Sequence, residues 1–320
     1  MSIKYIIIVL GEPYSTFSEI IGKYYLKNKN PKLKIILIGD LYLLKNQLTL
    51  LKYNLQFNKI ENIKDSKKNK INIINIKFKH KKTFAKISEK SNIYIKKCFD
   101  EALKIIQNHK NECILINGPI SKKYFLKKKY SGITEYLSKK TFSKNEVMLI
   151  FNKKISVSPL TTHIPIKFVA KKITKEKIIN NILKLNNFYK NNFNKKVKFA
   201  VLGLNPHCET IDNFSEEEKV IIPAIKSLKQ RGVNVNGPFS SDTFFFHKNL
   251  NYYDVVVGMY HDQVLTPIKT LFNFKAINIT VGLPFIRISP DHGPNSEMLG
   301  KNKSDPSSLM YAIKFIQNIK

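Results

Sequence analysis

Val255-Val256-Val257-Gly258-Met259, followed at once by Tyr260-His261-Asp262-Gln263, is the stretch on which the reading of the fold turns. Its first half carries no charge and is mostly β-branched, which marks a strand buried on both faces. Its second half is polar and brings an imidazole to the point where the strand stops. The same succession recurs along the chain. Tyr5–Leu10 ends in Gly11-Glu12-Pro13, and Cys113–Ile116 ends in Asn117-Gly118-Pro119. Ile155–Leu160 leads into Thr161-Thr162-His163, and Phe199–Leu204 ends in Asn205-Pro206-His207. Open α/β sheets bind ligands beyond the carboxyl ends of their strands. Five polar endings of this kind define a candidate site.

Further short apolar runs, Ile35–Ile38, Ile71–Ile76, Val147–Phe151 and Ala276–Val281, also read as strands. Amphipathic stretches at Ser18–Lys27, Ile87–His109, Lys175–Asn187, Glu216–Arg231 and Pro306–Ile319 read as helices. Alternation of the two predicts an α/β protein with a largely parallel sheet. Asn62–Lys82 departs from the pattern: it is rich in Lys and Asn with alternating isoleucines, and reads as an edge strand or hairpin flanked by a solvated loop. There is no internal repeat. A second round of strand–helix units begins near residue 150, a weakly marked boundary within one 1–320 unit whose site residues come mainly from 118–292.

The 320 residues are 43% hydrophobic, enough for a real core, which excludes a disordered or fibrous chain. Fifty-five Lys and Arg against 23 Asp and Glu give a formal net charge of +32. A nucleic acid or an anionic membrane is the obvious partner for such a charge. The makeup of the charge argues against it. Only Arg231 and Arg287 are arginine, the lysines are scattered, and bidentate recognition of phosphates and bases favours Arg. Three cysteines, Cys98, Cys113 and Cys208, without a short-spaced pair suit a reducing compartment. With no signal-like h-region and no apolar run of spanning length, the expectation is a cytoplasmic protein that contacts no membrane.

His163, His207 and His261 share the strand-end context, and imidazole suits Zn, Co, Ni or Fe better than Mg. Together they would form a triple-histidine metal site with an open coordination position. Taken singly, each reads as a loop or hydrogen-bonded residue. Their spacings match no short zinc motif, so the metal reading rests on the shared strand-end context. His80, His109 and His247 lie in Lys-rich or helix-end surroundings and read as surface residues, while His292 in Asp291-His292-Gly293 reads either way. A second constellation joins Lys269, placed after a short helix that follows His261, to Asn278 within a strand and to Arg287. A guanidinium retained in a lysine-dominated chain points to a carboxylate or phosphate that needs its fork. The alternative is a helix-end or surface ion pair.

These residues carry a family likeness. Gly203-Leu204-Asn205-Pro206-His207, Asn236-Gly237-Pro238 through Asp242-Thr243-Phe244, Met259-Tyr260-His261-Asp262-Gln263, and Asn278-Ile279-Thr280 with Gly282-Leu283-Pro284-Phe285-Ile286-Arg287 resemble the PdxA family, the 4-hydroxythreonine-4-phosphate dehydrogenases of vitamin B6 synthesis. Gly11-Glu12-Pro13, Gly118-Pro119, Thr161-Thr162-His163-Ile164-Pro165 and Asp291-His292-Gly293 fit in the same order. The resemblance implies a two-lobed α/β/α fold, isocitrate/isopropylmalate-dehydrogenase-like, working as a homodimer. It implies a divalent metal (Zn, Mg or Co) on His163, His207 and His261, drawn from both subunits. It further implies a phosphorylated substrate held by Thr134, Lys269, Asn278 and Arg287. The implied reaction is hydride transfer to NAD or NADP followed by loss of CO2, with Asp242 or Lys269 handling the hydroxyl proton. The cofactor-binding residues are unassigned, because the chain has no GxGxxG fingerprint.

The chain departs from the family pattern at four places. Ile133 stands where the family has His, and Ser121 replaces another His. Tyr14-Ser15-Thr16-Phe17 and Cys208-Glu209-Thr210-Ile211-Asp212 are poorer in glycine than their counterparts. Glycines let backbone approach phosphate closely, so these loops bear on cofactor or substrate binding. Two other readings stand beside the first. One is a dehydrogenase for another phosphorylated hydroxy acid, such as a threonate or erythronate phosphate. The other is a non-catalytic or nucleic-acid-binding basic protein.

Overall fold

A computed structural model describes residues 3–28, 31–126, 130, 132–209, 214–273, 276–290 and 293–319. The chain divides into two compact units, Met1–Lys144 with Leu283–Lys320, and Asn145–Gly282. In chain order the first unit opens with β1 (Tyr5–Val9), α1 (Phe17–Lys27), β2 (Lys34–Gly39) and α2 (Leu41–Leu50). It continues with β3 (Phe57–Lys59), β4 (Ile71–Asn75), α3 (Asn92–Asn108), β5 (Cys113–Asn117) and α4 (Ile133–Lys140). The second unit holds β6 (Val147–Phe151), β7 (Ser156–Thr161), α5 (Val169–Lys172), α6 (Lys175–Phe193), β8 (Phe199–Leu202) and α7 (Ile222–Gln230). It is completed by β9 (Val235–Phe239), α8 (Ser241–Phe244), α9 (His247–Tyr252), β10 (Val255–Tyr260), α10 (His261–Phe272) and β11 (Ile277–Val281). The chain then returns to the first unit with β12 (Arg287–Pro290) and α11 (Ser307–Ile316).

In the first unit the strands run β3-β4-β2-β1-β5-β12, each pair parallel. Every residue of β1 is buried, as expected of a parallel strand covered on both faces. In the second unit the order is β11-β6-β7-β10-β8-β9. There β11, β6 and β7 pair antiparallel, while β7, β10, β8 and β9 are parallel. Helix starts follow local chemistry. Asp40 caps α2 by accepting from the Leu43 N–H at 2.7 Å, and Thr174 caps α6 by accepting from the Lys177 N–H at 3.2 Å.

Three sequence expectations need correction. The 62–82 segment forms no hairpin: its strand, β4, lies between β2 and β3 and is parallel to both, so β3 takes the edge. At three residues, Phe-Asn-Lys, β3 is too short and polar to leave a pattern. Lys269 lies inside α10, in its last turn, and does not follow a shorter helix. Pro267 lies within α10, and the helix runs on past it to Phe272. His109 and His80 are half-buried, with the His109 ring edge-on to Tyr5 and the His80 ring stacked on Phe78. His292 and residues 210–212 lie outside the described residues.

The turn after β1 is closed by backbone. Gly11 has φ +74°, and a Cβ there would meet the Pro119 carbonyl at 2.4 Å. Beside it Glu12 is 2% exposed. Its Oε2 accepts from the Ser91 hydroxyl at 3.0 Å, and its Oε1 has no hydrogen-bond partner among the described residues. Oε1 belongs to a carboxyl lining a cavity of about 20 Å³, room for one water. Burial raises the Glu12 carboxyl from its ordinary 4.5 to about 7, against the pull of the Ser91 hydrogen bond. Between these values the native chain keeps a proton that the unfolded chain has released. Stability from this group is therefore full below about pH 4.5 and falls as pH rises through 7. Glu12→Gln is expected to flatten that slope and to raise stability at pH 8 by up to about 3 kcal/mol. Denaturant unfolding of both proteins from pH 4.5 to 8 measures it, and parallel pH profiles would contradict the assignment.

Candidate active-site residues

In the first unit, Arg287 opens β12 and is the largest fully buried side chain, 1% exposed. That excludes a surface or helix-end ion pair. A guanidinium taken out of water needs partners, and two come from other elements. Its Nε–H donates to Asn117 Oδ1 at 2.8 Å, at the end of β5. Its Nη1–H donates to Thr134 Oγ1 at 3.1 Å, in the first turn of α4. Burial lowers its pKa to about 10, with the Glu135 carboxylate pulling the other way, so Arg287 is charged at neutral pH. Thr134 and Arg287, separated by 153 residues in the chain, are thus brought into contact. Ile133, next to Thr134, is half-buried and packs on the apolar core of this unit.

In the second unit the three histidines stand just past strand ends. His163 is exposed, two residues beyond β7, and His261 is the first residue of α10, directly after β10. Their ring centroids are 5.7 Å apart and the planes are tilted by 41°. Two imidazoles at that spacing suit one shared ion, with metal–nitrogen bonds of about 2.0–2.1 Å. His261 Nδ1 lies 2.6 Å from Asp262 Oδ1, which leaves Nε2 as the outward nitrogen. His207 sits in the turn after β8 at φ +55°, with Nδ1 3.6 Å from Asp242 Oδ2. The Asp242 carboxyl is held below its ordinary range by the Ser240 hydroxyl and by His207. Imidazoles backed by carboxylates fit a borderline ion such as Zn or Co. Among the described residues no three His, Cys, Asp or Glu side chains converge as a metal site within the chain. Two of the expected ligands are therefore adjacent, and the third pairs with Asp242.

Asn278 lies in β11 opposite Ile150 and is half-buried, while Lys269 is exposed on α10. The turn after β1, the place where a dinucleotide fingerprint would open, buries Tyr14, Ser15 and Thr16. It has no exposed backbone of the kind a pyrophosphate uses, so this turn does not fit a nicotinamide dinucleotide.

The family model described as pyridoxal phosphate biosynthetic protein PdxA matches residues 31–316. The chain belongs to the PdxA family. A relative named 4-hydroxythreonine-4-phosphate dehydrogenase, from Sulfurihydrogenibium sp. (strain YO3AOP1), is 38% identical over 96% of this chain and 95% of its own. A crystal structure of the 4-hydroxythreonine-4-phosphate dehydrogenase of Klebsiella pneumoniae superposes with a TM-score of 0.84 at 26% identity, covering 98% of each chain. A β-decarboxylating dehydrogenase from Thermococcus kodakarensis shares the fold alone, with a TM-score of 0.50 at 8% identity over 99% of this chain and 83% of its own. The fold is thus the isocitrate/isopropylmalate-dehydrogenase-like α/β/α class, and this PdxA-family chain is an oxidoreductase.

Sequence reasoning passed over Asn117 as a working residue. The available signal was an amide placed directly after an all-apolar run, where a strand end must satisfy something polar. Its Oδ1 takes the Arg287 Nε–H while its Nδ2 donates to the Gly118 carbonyl at 2.9 Å. Asn117→Leu is expected to leave a buried charged donor unpaired and to cost about 2–3 kcal/mol in urea unfolding, with Asn117→Asp losing less. Equal stability of Asn117→Leu and the parent would show that the bond carries no weight.

Proposed function

We propose that this chain oxidises 4-phosphohydroxy-L-threonine with NAD or NADP and a divalent metal, in the synthesis of pyridoxal 5'-phosphate. The 3-keto acid formed then loses CO2 and gives 3-amino-2-oxopropyl phosphate. Family membership across residues 31–316 carries this reading. In it, Thr134, Lys269, Asn278 and Arg287 bind the phosphorylated substrate, and their cations neutralise its anionic groups and orient the carbon that gives up hydride. His163, His207 and His261 hold the metal, which when bound supplies positive charge for oxygen that becomes negative. A nicotinamide, when bound, would supply the hydride acceptor. The hydroxyl proton leaves to Asp242 or Lys269.

Ligands drawn from two subunits make a homodimer part of the reading. Support comes from the apolar side chains next to His163: Ile166 is 71% exposed and Phe168 44% exposed, surface that a partner copy would cover. A cytoplasmic setting is supported by the three cysteines, all free. No helix among the described residues is long and apolar enough to cross a membrane. A second reading, a dehydrogenase for a threonate or erythronate phosphate, draws on Ile133, which offers an apolar side chain where a hydrogen-bonding one is expected.

Formation of NADH or NADPH from 4-phosphohydroxy-L-threonine with added Zn²⁺, Mg²⁺ or Co²⁺ tests the proposal. Turnover is expected, and His207→Ala should lower kcat/KM by at least about 100-fold. Turnover only with a phosphorylated sugar acid would transfer the case to the second reading. Silence with every substrate, together with DNA binding that survives about 200 mM salt, would favour the basic-protein reading.

A further inference from the structure

The three histidine-bearing strand ends of the second unit are tied together from beneath by buried hydrogen bonds. Thr161, the last residue of β7, is 2% exposed, and its hydroxyl donates to the Met259 carbonyl in β10 at 2.7 Å. The Met259 N–H donates to Gln263 Oε1 at 2.7 Å. Gln263 Nε2 donates across to the Gly203 carbonyl, just past β8, at 2.7 Å. Beyond Gly203 the backbone turns onto Glu217, a carboxylate 1% exposed. Glu217 Oε1 accepts from the Leu204 and Asn205 N–H groups at 2.7 and 2.9 Å, and its Oε2 accepts from Asn205 Nδ2 at 2.9 Å. Ser215 adds a fourth bond to Oε2 at 3.3 Å.

The path visits each histidine loop within a few residues of its imidazole. Thr161 precedes His163 by two positions, Met259 and Gln263 flank His261 on either side, and Asn205 precedes His207 by two. The loop that most needs holding is the last. His207 and Cys208 have φ +55° and +62°, left-handed backbone that costs a residue with a Cβ roughly 1 kcal/mol or more. Three of the four bonds on one buried carboxylate fix Leu204 and Asn205, the two residues from which that turn departs. There is no slack either: a Cβ on Gly203 would meet Cys208 Sγ at 2.6 Å and Glu217 Oε1 at 3.1 Å.

We infer that Thr161, Gln263 and Glu217 are positioning residues, a buried frame that fixes the strand-end turns from which His163, His261 and His207 are presented. The hydrogen bonds that make up the frame run to backbone and to Asn205 and Ser215. The frame acts on the backbone that carries the histidines, as outer-shell partners do where a ligand's direction must be held to a fraction of an ångström. Its metal readout rests on the ligand reading of the histidines proposed above, while its structural readout does not.

The test uses the full chain, metal-free, with Thr161→Val and Gln263→Leu as probes and Thr161→Ser as the conservative control. Co²⁺ is titrated calorimetrically, and amide exchange is followed at residues 203–208. Both probes are expected to weaken Co²⁺ binding by about 10- to 100-fold, with T161S at the parent affinity. Gln263→Leu should also speed exchange of the Leu204 and Asn205 amides by about tenfold or more, although Gln263 bonds to neither. Either readout staying at the parent value overturns the frame. If the parent protein takes up no Co²⁺, the ligand reading fails and exchange alone decides: faster at 204 and 205 supports the frame, unchanged overturns it. Should Gln263→Leu fail to fold, the isosteric Gln263→Glu keeps the acceptor for Met259 N–H and loses the donor to Gly203. It carries the same expectations.

Discussion

β10 runs from Val255 to Tyr260 between two parallel neighbours, and its first five residues are all buried. A strand covered in this way tolerates a polar side chain only where its pairing stops. The same constraint acts on β1 and β5, so the polar chemistry of these strands collects at their ends. At those ends the backbone loses its ladder partners, and each freed carbonyl or amide must find another. Asn117, Thr161 and Gln263 meet that demand. The residues that hold the candidate functional groups therefore exist first because the sheet has to end.

That constraint also explains how much could be read without coordinates. A buried parallel strand leaves a continuous apolar run, and β1, β2, β5 and β10 were plain from composition, as was the apolar antiparallel strand β6. The polar residues after them marked the candidate site, because strand ends are visible as a change of chemistry. β3, β9 and β12 were not plain. β3 is too short, β9 contains Gly237 and Pro238, and β12 begins with an arginine and ends with a proline. Family resemblance supplied residue roles that spacing alone left open. What neither route supplied were partners far apart in the chain. Nothing near Arg287 in sequence announces Asn117, 170 residues away, and nothing near Gln263 announces Gly203, 60 away. Such pairs arise from crossover topology, which a local pattern does not encode.

The charge of +32 divides along the same line between surface and interior. Among the buried charged residues described there is no lysine, and the one buried base is Arg287. An ammonium is compact and strongly hydrated, so it stays at the surface, where the lysines accumulate with little consequence for the fold. A guanidinium is more weakly hydrated and presents a planar fork, which lets Asn117 and Thr134 each take one edge. The scarcity of arginine is thus informative: the chain spends lysine where any cation serves, and keeps arginine at a place where lysine cannot substitute.

Each unit uses the same device to hold its functional group. Asn117 accepts from Arg287 with its oxygen and donates to the Gly118 carbonyl with its nitrogen. Gln263 accepts from the Met259 N–H and donates to the Gly203 carbonyl in the same manner. A side-chain amide has one face of each kind, so it can bridge two strand-end groups that neither a hydroxyl nor a carboxylate would satisfy together. It is also neutral. A second carboxylate beside Arg287, added to Glu135, would compete further with an anionic ligand for the guanidinium, and another charge beneath the His261 turn would add to that of Asp262. Amides fix direction and leave charge untouched. At Glu217, by contrast, three of the bonds come from neutral backbone and side-chain N–H groups and the fourth from a hydroxyl. There a carboxylate is the side chain that can accept all four.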